Sequence, residues 1–190
     1  MQYQQVYDFL MPKLENELPA SLSYHNAAHT RSVIVAAEHL ARTEGITGDE
    51  LLLLKTAALF HDAGFLQQPD GHEEISCIWA REHLPRFDYS AAQIDQICRT
   101  IMATKLPQTP VDHLGELLCD ADLFYIGEEG YSANATRLYS EFKHRGITKT
   151  DANWDLMQLD FLSTHRFFTR SAIDQLEYTK KKVIIELNER

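Results

Sequence analysis

Residues 49–61 read DELLLLKTAALFH, with apolar side chains nearly all round a helical wheel. A helix that is apolar on every side has to be covered by other helices rather than lie on a surface. This segment is therefore predicted to be the core helix. Elsewhere apolar residues recur at helical spacing, as in Val33, Ile34, Ala37, Leu40 and Ala41, and no stretch alternates with period two between turn signals. The fold class that follows is all-α, a compact helical bundle.

Helices are predicted over about 2–18, 27–44, 49–62, 72–84, 90–104, 112–126, 128–144, 151–164 and 169–188. Pro12 is placed to kink or split the first. Gly45 and Gly48, then Pro69, Asp70 and Gly71, then Pro107 and Pro110, then Gly146 punctuate the connections. No connection is long enough to link two domains, and 190 residues fit the size of one. A single domain over 1–190 is expected.

Eighteen Lys and Arg against 28 Asp and Glu leave a formal charge of −10, a field that repels phosphate backbones. Polymeric nucleic acid is a poor partner for such a chain, and an anionic substrate needs local cancellation by a metal ion or a few placed cations. Cys77, Cys98 and Cys119 form no CxxC pair and read as buried thiols. Met1 to Leu10 lack the order of a signal peptide, and no apolar run approaches the roughly 18 residues of a membrane span. A cytoplasmic location without membrane contact is expected.

Of the nine histidines, His29 and His61 sit where packing does not require them. His61 is followed by Asp62 at the end of the apolar helix, where a carboxylate is costly unless something pairs with it. Along a helix flank neighbouring residues diverge by about 100°, but at a terminal turn both can face one ion over the helix end. Asp120-Ala121-Asp122, within LLCDADLF, repeats the oddity of carboxylates in an apolar helix. Both clusters need a cation. Imidazole with carboxylate suits Mn, Fe, Co, Ni or Zn better than Ca, and magnesium is also allowed. Two His and two Asp leave positions open for water and substrate, the arrangement of metal-assisted hydrolysis.

The pattern of His29, His61-Asp62 and Asp122 resembles that of the HD superfamily of metal-dependent phosphohydrolases. YHNAAHT at 24–30, AALFHDAGF at 57–65, GHEE at 71–74, IMATKLP at 101–107 and LLCDADLF at 117–124 are similar, in order, to the blocks of a bacterial single-domain branch. The resemblance implies an HD-type bundle in which His29, His61, Asp62 and Asp122 bind one metal. In binuclear relatives further histidines hold a second metal, and His72 is similar to the first of these. Ile101 stands where such relatives carry the next one. One tightly held metal is therefore expected, with any second ion weaker and arriving with substrate or bridged by Asp62.

A bound metal would acidify a coordinated water and polarise a phosphoryl oxygen. Glu73 is the general-base candidate, with Glu74 or Asp120 able to do the same work, so that Glu73, Lys105 and Asp62 form the expected catalytic set. Lys105 would steady phosphate charge, or simply cap its helix. Asn26 could fix a ligand ring or accept a substrate hydrogen bond. His72, Asn26 and Asp120 are the supporting or second-metal candidates. The plain alternatives are an outward-facing carboxylate for Asp120, helix-start residues for His72 and Glu73, and a loop hydrogen bond for His25.

His165 and Arg166, in FLSTHRFFTR, resemble a late block of the same branch and read as packing and closure over the pocket. Lys180, Lys181 and Lys182 read as the solvated end of the last helix. The expected substrate is a small phosphorylated, nucleotide-like metabolite, and a homodimer is compatible with the sequence. A mixed-valent diiron oxygenase on the same scaffold, or a slow nucleotide-binding module, is the alternative.

Overall fold

Leu54, Ala57, Ala58, Leu59 and Phe60 have no solvent exposure at all, and the helix that carries them is touched by five others. The computed structural model describes residues 1–189. Its helices are α1 Tyr3–Glu17, α2 Ala27–Thr43, α3 Gly48–Phe60, α4 His72–His83, α5 Ala91–Ala103, α6 His113–Asp122, α7 Tyr131–His144, α8 Asp151–Thr164 and α9 Arg170–Asn188. Among the described residues there is no strand. Helix α3 packs against α1, α2, α4, α5 and α6, which is the central position that its all-round apolar surface demands.

The helix starts follow from local chemistry. Asn26 caps α2 by accepting from the Ala28 and His29 amides, Ser90 and Gln93 form a reciprocal capping box on α5, and Asp112, Thr150 and Thr169 cap α6, α8 and α9. Each such cap stabilises its helix by about 1 kcal/mol. One core cluster draws apolar side chains from Val6 in α1 to Leu187 in α9.

Several expectations need correcting. Helix α1 runs through Pro12 without splitting. The predicted helices over 49–62 and 112–126 end at Phe60 and Asp122, and the chain then tightens into 3-10 turns over Ala63–Leu66 and Phe124–Gly127. Those turns bring His61, Asp62 and Asp122 to helix ends rather than flanks. Lys180 is not solvated: only 3 % exposed, it donates to the His165 carbonyl at 2.8 Å and pairs with Glu177 at 2.9 Å.

Two contacts fix the turn after α3. The Ser76 hydroxyl donates to the His61 carbonyl at 2.8 Å and accepts from the Gly64 amide at 2.8 Å, which ties α4 to the end of α3. A Cβ at Gly64 would lie 2.1 Å from the His72 carbonyl oxygen, so only glycine lets the turn and α4 approach this closely.

Candidate metal centre

Four ring or carboxylate atoms from α2, the end of α3 and the end of α6 converge. His29 Nε2 lies 3.0 Å from Asp122 Oδ1, 3.3 Å from His61 Nε2 and 3.5 Å from Asp62 Oδ2. His61 Nε2 lies 3.2 Å from Asp62 Oδ2 and 3.5 Å from Asp122 Oδ1. Ligands held at about 2.1 Å from one ion are about 3.0 Å apart on an octahedron and about 3.4 Å apart on a tetrahedron. His29, His61 and Asp122 meet the distance requirement for one ion as a trio, and Asp62 Oδ2 lies against the two imidazoles of that trio.

The donors are prepared for that ion. The His61 Nδ1 hydrogen goes to the Ala58 carbonyl at 2.7 Å, because a carbonyl can only accept. Nε2 is left as the nitrogen that faces the cluster, its orientation fixed by the bond on the other side of the ring. Asp62 Oδ2 is buried without a hydrogen bond, a costly state that a cation would relieve.

The electrostatics point the same way. Burial disfavours ionisation throughout the cluster, yet the neighbouring imidazoles hold Asp62 and Asp122 well below the usual carboxylate range. Burial likewise lowers the pKa of His61, but the two carboxylates outweigh it and hold that pKa well above the usual imidazole range. The cluster is built to surround positive charge.

The flanking candidates separate clearly. His72 Nδ1 donates to the Pro69 carbonyl at 3.0 Å, and its Nε2 lies 3.3 Å from Asp62 Oδ1. Asp62 therefore faces His29 and His61 with one oxygen and His72 with the other. Phe65 lies between His25 and His72, with centroid distances of 4.6 and 4.2 Å, and holds the His72 ring in place. Glu73 is buried beside them, its Oε2 3.5 Å from His72 Nδ1. Ile101 is fully buried in the core, so the side facing His72 gains no ligand from that position.

Three candidates, the supporting Asp120 and Asn26 and the catalytic Lys105, are placed differently from expectation. Asp120 is neither outward-facing nor part of the cluster. It is fully buried, and its oxygens accept from Phe168 N at 2.9 Å, Thr169 N at 2.8 Å and Thr169 Oγ1 at 2.7 Å, which pins the start of α9. Asn26 spends its side chain on the backbone, accepting from Ala28 and His29 and donating to the Leu22 and Ser23 carbonyls, so it sets the start of α2 rather than a ligand ring. Lys105 points along the surface to pair with Glu74, which removes Glu74 from the candidate bases.

Other residues went unassigned in the sequence. The fully buried Glu141 of α7 accepts from the Tyr24 and His25 amides at 3.0 Å each and from His25 Nδ1 at 2.6 Å, and so fixes the loop leading to His29. Tyr24 and Tyr125, with ring centroids 5.4 Å apart, stand between two openings that meet at Asp122. One is a cleft of about 500 Å³ reaching His29, Ser32, His39, Asn134 and Arg137. The other is a chamber of about 320 Å³ bordered by Asp62, His72 and Glu73 and walled by α7 and α8. The YHNAAHT block contained Tyr24, but nothing local in the sequence marks Glu141 or the chamber walls. His165 packs between Phe161 and Phe167, at 5.8 and 4.8 Å, and burial together with Lys180 lowers its pKa to about 4, in keeping with a packing role.

The HD domain family model matches residues 26–125. Two solved structures share the fold. A predicted HD superfamily hydrolase from an uncultured Thermotogales bacterium is 19 % identical, with a TM-score of 0.65 over 98 % of this chain and 89 % of that one. Bacillus subtilis YpgQ, solved in complex with ADP, is 20 % identical, with a TM-score of 0.68 over 100 % of this chain and 95 % of that one. No curated protein matches the sequence. Among the described residues no helix is long and apolar enough to cross a membrane.

Proposed function

The chain belongs to the HD domain family, and from that premise we propose that it is a metal-dependent phosphohydrolase cleaving a phosphate ester of a small metabolite. The observation that carries the reading is the convergence of His29, His61 and Asp122, with Asp62 Oδ2 buried against both imidazoles and without a hydrogen bond. A divalent ion held there supplies a Lewis acid and acidifies water.

The chain's own residues supply the rest. The Ala58 carbonyl holds the His61 ring with Nε2 toward the cluster. Glu73, at the edge of the chamber beside His72, takes a proton from the attacking water as the new oxygen–phosphorus bond forms. The bond to the leaving oxygen breaks in line on the face opposite the attack, the departing alkoxide takes a proton from solvent and Glu73 gives its proton back to solvent, so ester plus water gives alcohol plus phosphate.

The nucleotide expectation is supported by the ADP bound to Bacillus subtilis YpgQ. The diiron oxygenase alternative is weakened by buried Ile101, which leaves Asp62 Oδ1 and His72 Nε2 as the facing pair for a second ion. The test is phosphate release from a panel of nucleotides and simple esters after reconstitution with Mn, Co, Ni or Mg. Turnover that disappears in folded His61→Ala supports the reading. No release with any ion, or equal release by the variant, overturns it.

A further inference from the structure

Among the described residues lining the chamber beside the cluster, two buried side-chain oxygens have no hydrogen bond: Asp62 Oδ2 and the Tyr24 hydroxyl. They call for opposite charges. A carboxylate oxygen is relieved by a cation, whereas a phenol hydrogen is relieved by an acceptor, most strongly by an anionic one. Neighbouring hydroxyls are already satisfied: that of Tyr131 donates to Gln158 Oε1 at 2.6 Å, and that of Thr104 donates to the Ile101 carbonyl at 2.8 Å.

The Tyr24 ring is fixed by its own surroundings. Its amide donates to Glu141 Oε2 at 3.0 Å, and its carbonyl accepts from the Asn26 amide at 2.9 Å. The ring lies tilted on His29 at 4.6 Å between centroids, edge to face with His25 at 4.8 Å and against Tyr125 at 5.4 Å. Only 6 % exposed, Tyr24 borders both openings that reach Asp122. An ordinary phenol keeps its proton to about pH 10. Burial first, then Tyr125 and the carboxylates of Asp122 and Asp62, push the pKa of this one higher. Tyr24 is thus a neutral donor held beside the cluster.

Phosphoryl transfer spreads charge over the oxygens around phosphorus, and a donor already in place costs no reorganisation during the reaction. Lys105, which the sequence offered for that charge, is paired with Glu74 on the surface. Resting on the phosphohydrolase reading, we propose that Tyr24 is a catalytic residue whose hydroxyl donates a hydrogen bond to a phosphoryl oxygen of the substrate at the cluster. Tyr24 keeps its proton throughout, so its part is separate from the proton uptake by Glu73. The role is the same for a nucleotide and for a simpler phosphate ester.

The test compares wild type with Tyr24→Phe, which removes the hydroxyl and keeps the ring. Calorimetric titration of the Mn(II)-loaded proteins with inorganic phosphate is expected to show binding weakened by about tenfold or more in the variant. Its kcat on the ester that wild type cleaves best is expected to fall by about tenfold or more. Mn(II) affinity is expected to be unchanged, and the melting temperature to stay at or above that of wild type, because the lost hydroxyl leaves no partner unpaired. Tyr131→Phe, which removes a hydroxyl bonded to Gln158, is expected to do the reverse: it melts lower and binds phosphate as wild type does.

Equal phosphate affinity or equal kcat in Tyr24→Phe overturns the proposal, as does ion-loaded wild type that binds no phosphate. So does a loss of phosphate binding accompanied by a lower melting temperature or weaker Mn(II) binding, because the ring would then be supporting His29 rather than the hydroxyl meeting substrate. A loss in Tyr131→Phe as large as that in Tyr24→Phe overturns it too. These outcomes leave the phosphohydrolase reading standing. That reading fails if wild type cleaves no ester with any ion, and the phosphate titration then still decides whether the Tyr24 hydroxyl meets a phosphoryl oxygen.

Discussion

Asp120 and Asp122 lie two residues apart on α6 and serve opposite ends of the molecule's chemistry. Asp120 is closed around Phe168 and Thr169 at the start of α9, and Asp122 lies 3.0 Å from His29 in the cluster. The same substitution should therefore have different consequences at the two positions. Asp120→Asn turns an amide against backbone donors and is expected to cost about 2 kcal/mol of stability, with ion binding retained. Asp122→Asn is expected to lose the ion with a smaller drop in stability. Urea titration alongside metal analysis separates them.

Glu141 makes the loop before α2 sensitive to acid. Burial alone would raise its pKa, but the His25 side chain and the amides of His25 and Tyr24 outweigh that and lower it. Its contribution to stability is thus full above about pH 4.3, the ordinary glutamate value, and is lost as pH falls through the lowered folded value. Glu141→Ala, which orphans buried donors, is expected to cost about 3 kcal/mol at neutral pH. In Glu141→Gln this acid-dependent component disappears, so its melting temperature should fall less steeply below about pH 4.3 than that of the wild type. Parallel melting profiles would count against the assignment.

Gly64→Ala is a third test. The added methyl would meet the His72 backbone at 2.1 Å, and relief requires the start of α4 to move away from Asp62. Overpacking of this kind costs about 1–3 kcal/mol, and displacement of His72 and Glu73 is expected to reduce turnover more than tenfold. Wild-type melting and turnover together would show that the contact is not restrictive.

Much of this architecture was legible in the sequence because it depends on local patterns. The all-round apolar character of 49–61 requires a central helix, and α3 occupies that place. The cores of the other helices follow from their apolar spacing. The 3-10 turn at Phe124–Gly127 falls largely within the predicted helix over 112–126, since an i to i+3 turn leaves no separate periodic mark.

The candidate site was legible only in its chemistry. His61 and Asp62 are visible as misplaced polar residues in an apolar helix, but choosing between Asp120 and Asp122 depends on where Phe168 and Thr169 arrive, 48 and 49 residues after Asp120. Asn26 and Lys105 looked available for substrate because their partners, the loop carbonyls and Glu74, become neighbours only in the folded chain. The chamber is a tertiary product of α7 and α8 meeting the cluster, and no single segment announces it.

The most direct measurement is calorimetric titration of ion-free protein with Mn(II) or Co(II), run in parallel on folded His61→Ala and Asp122→Asn. The expected result is one tight ion per wild-type chain and binding weakened by at least about tenfold in each variant. Wild-type protein that takes up no ion, or variants that bind as tightly as it does, would contradict a shared centre formed by residues 29, 61, 62 and 122.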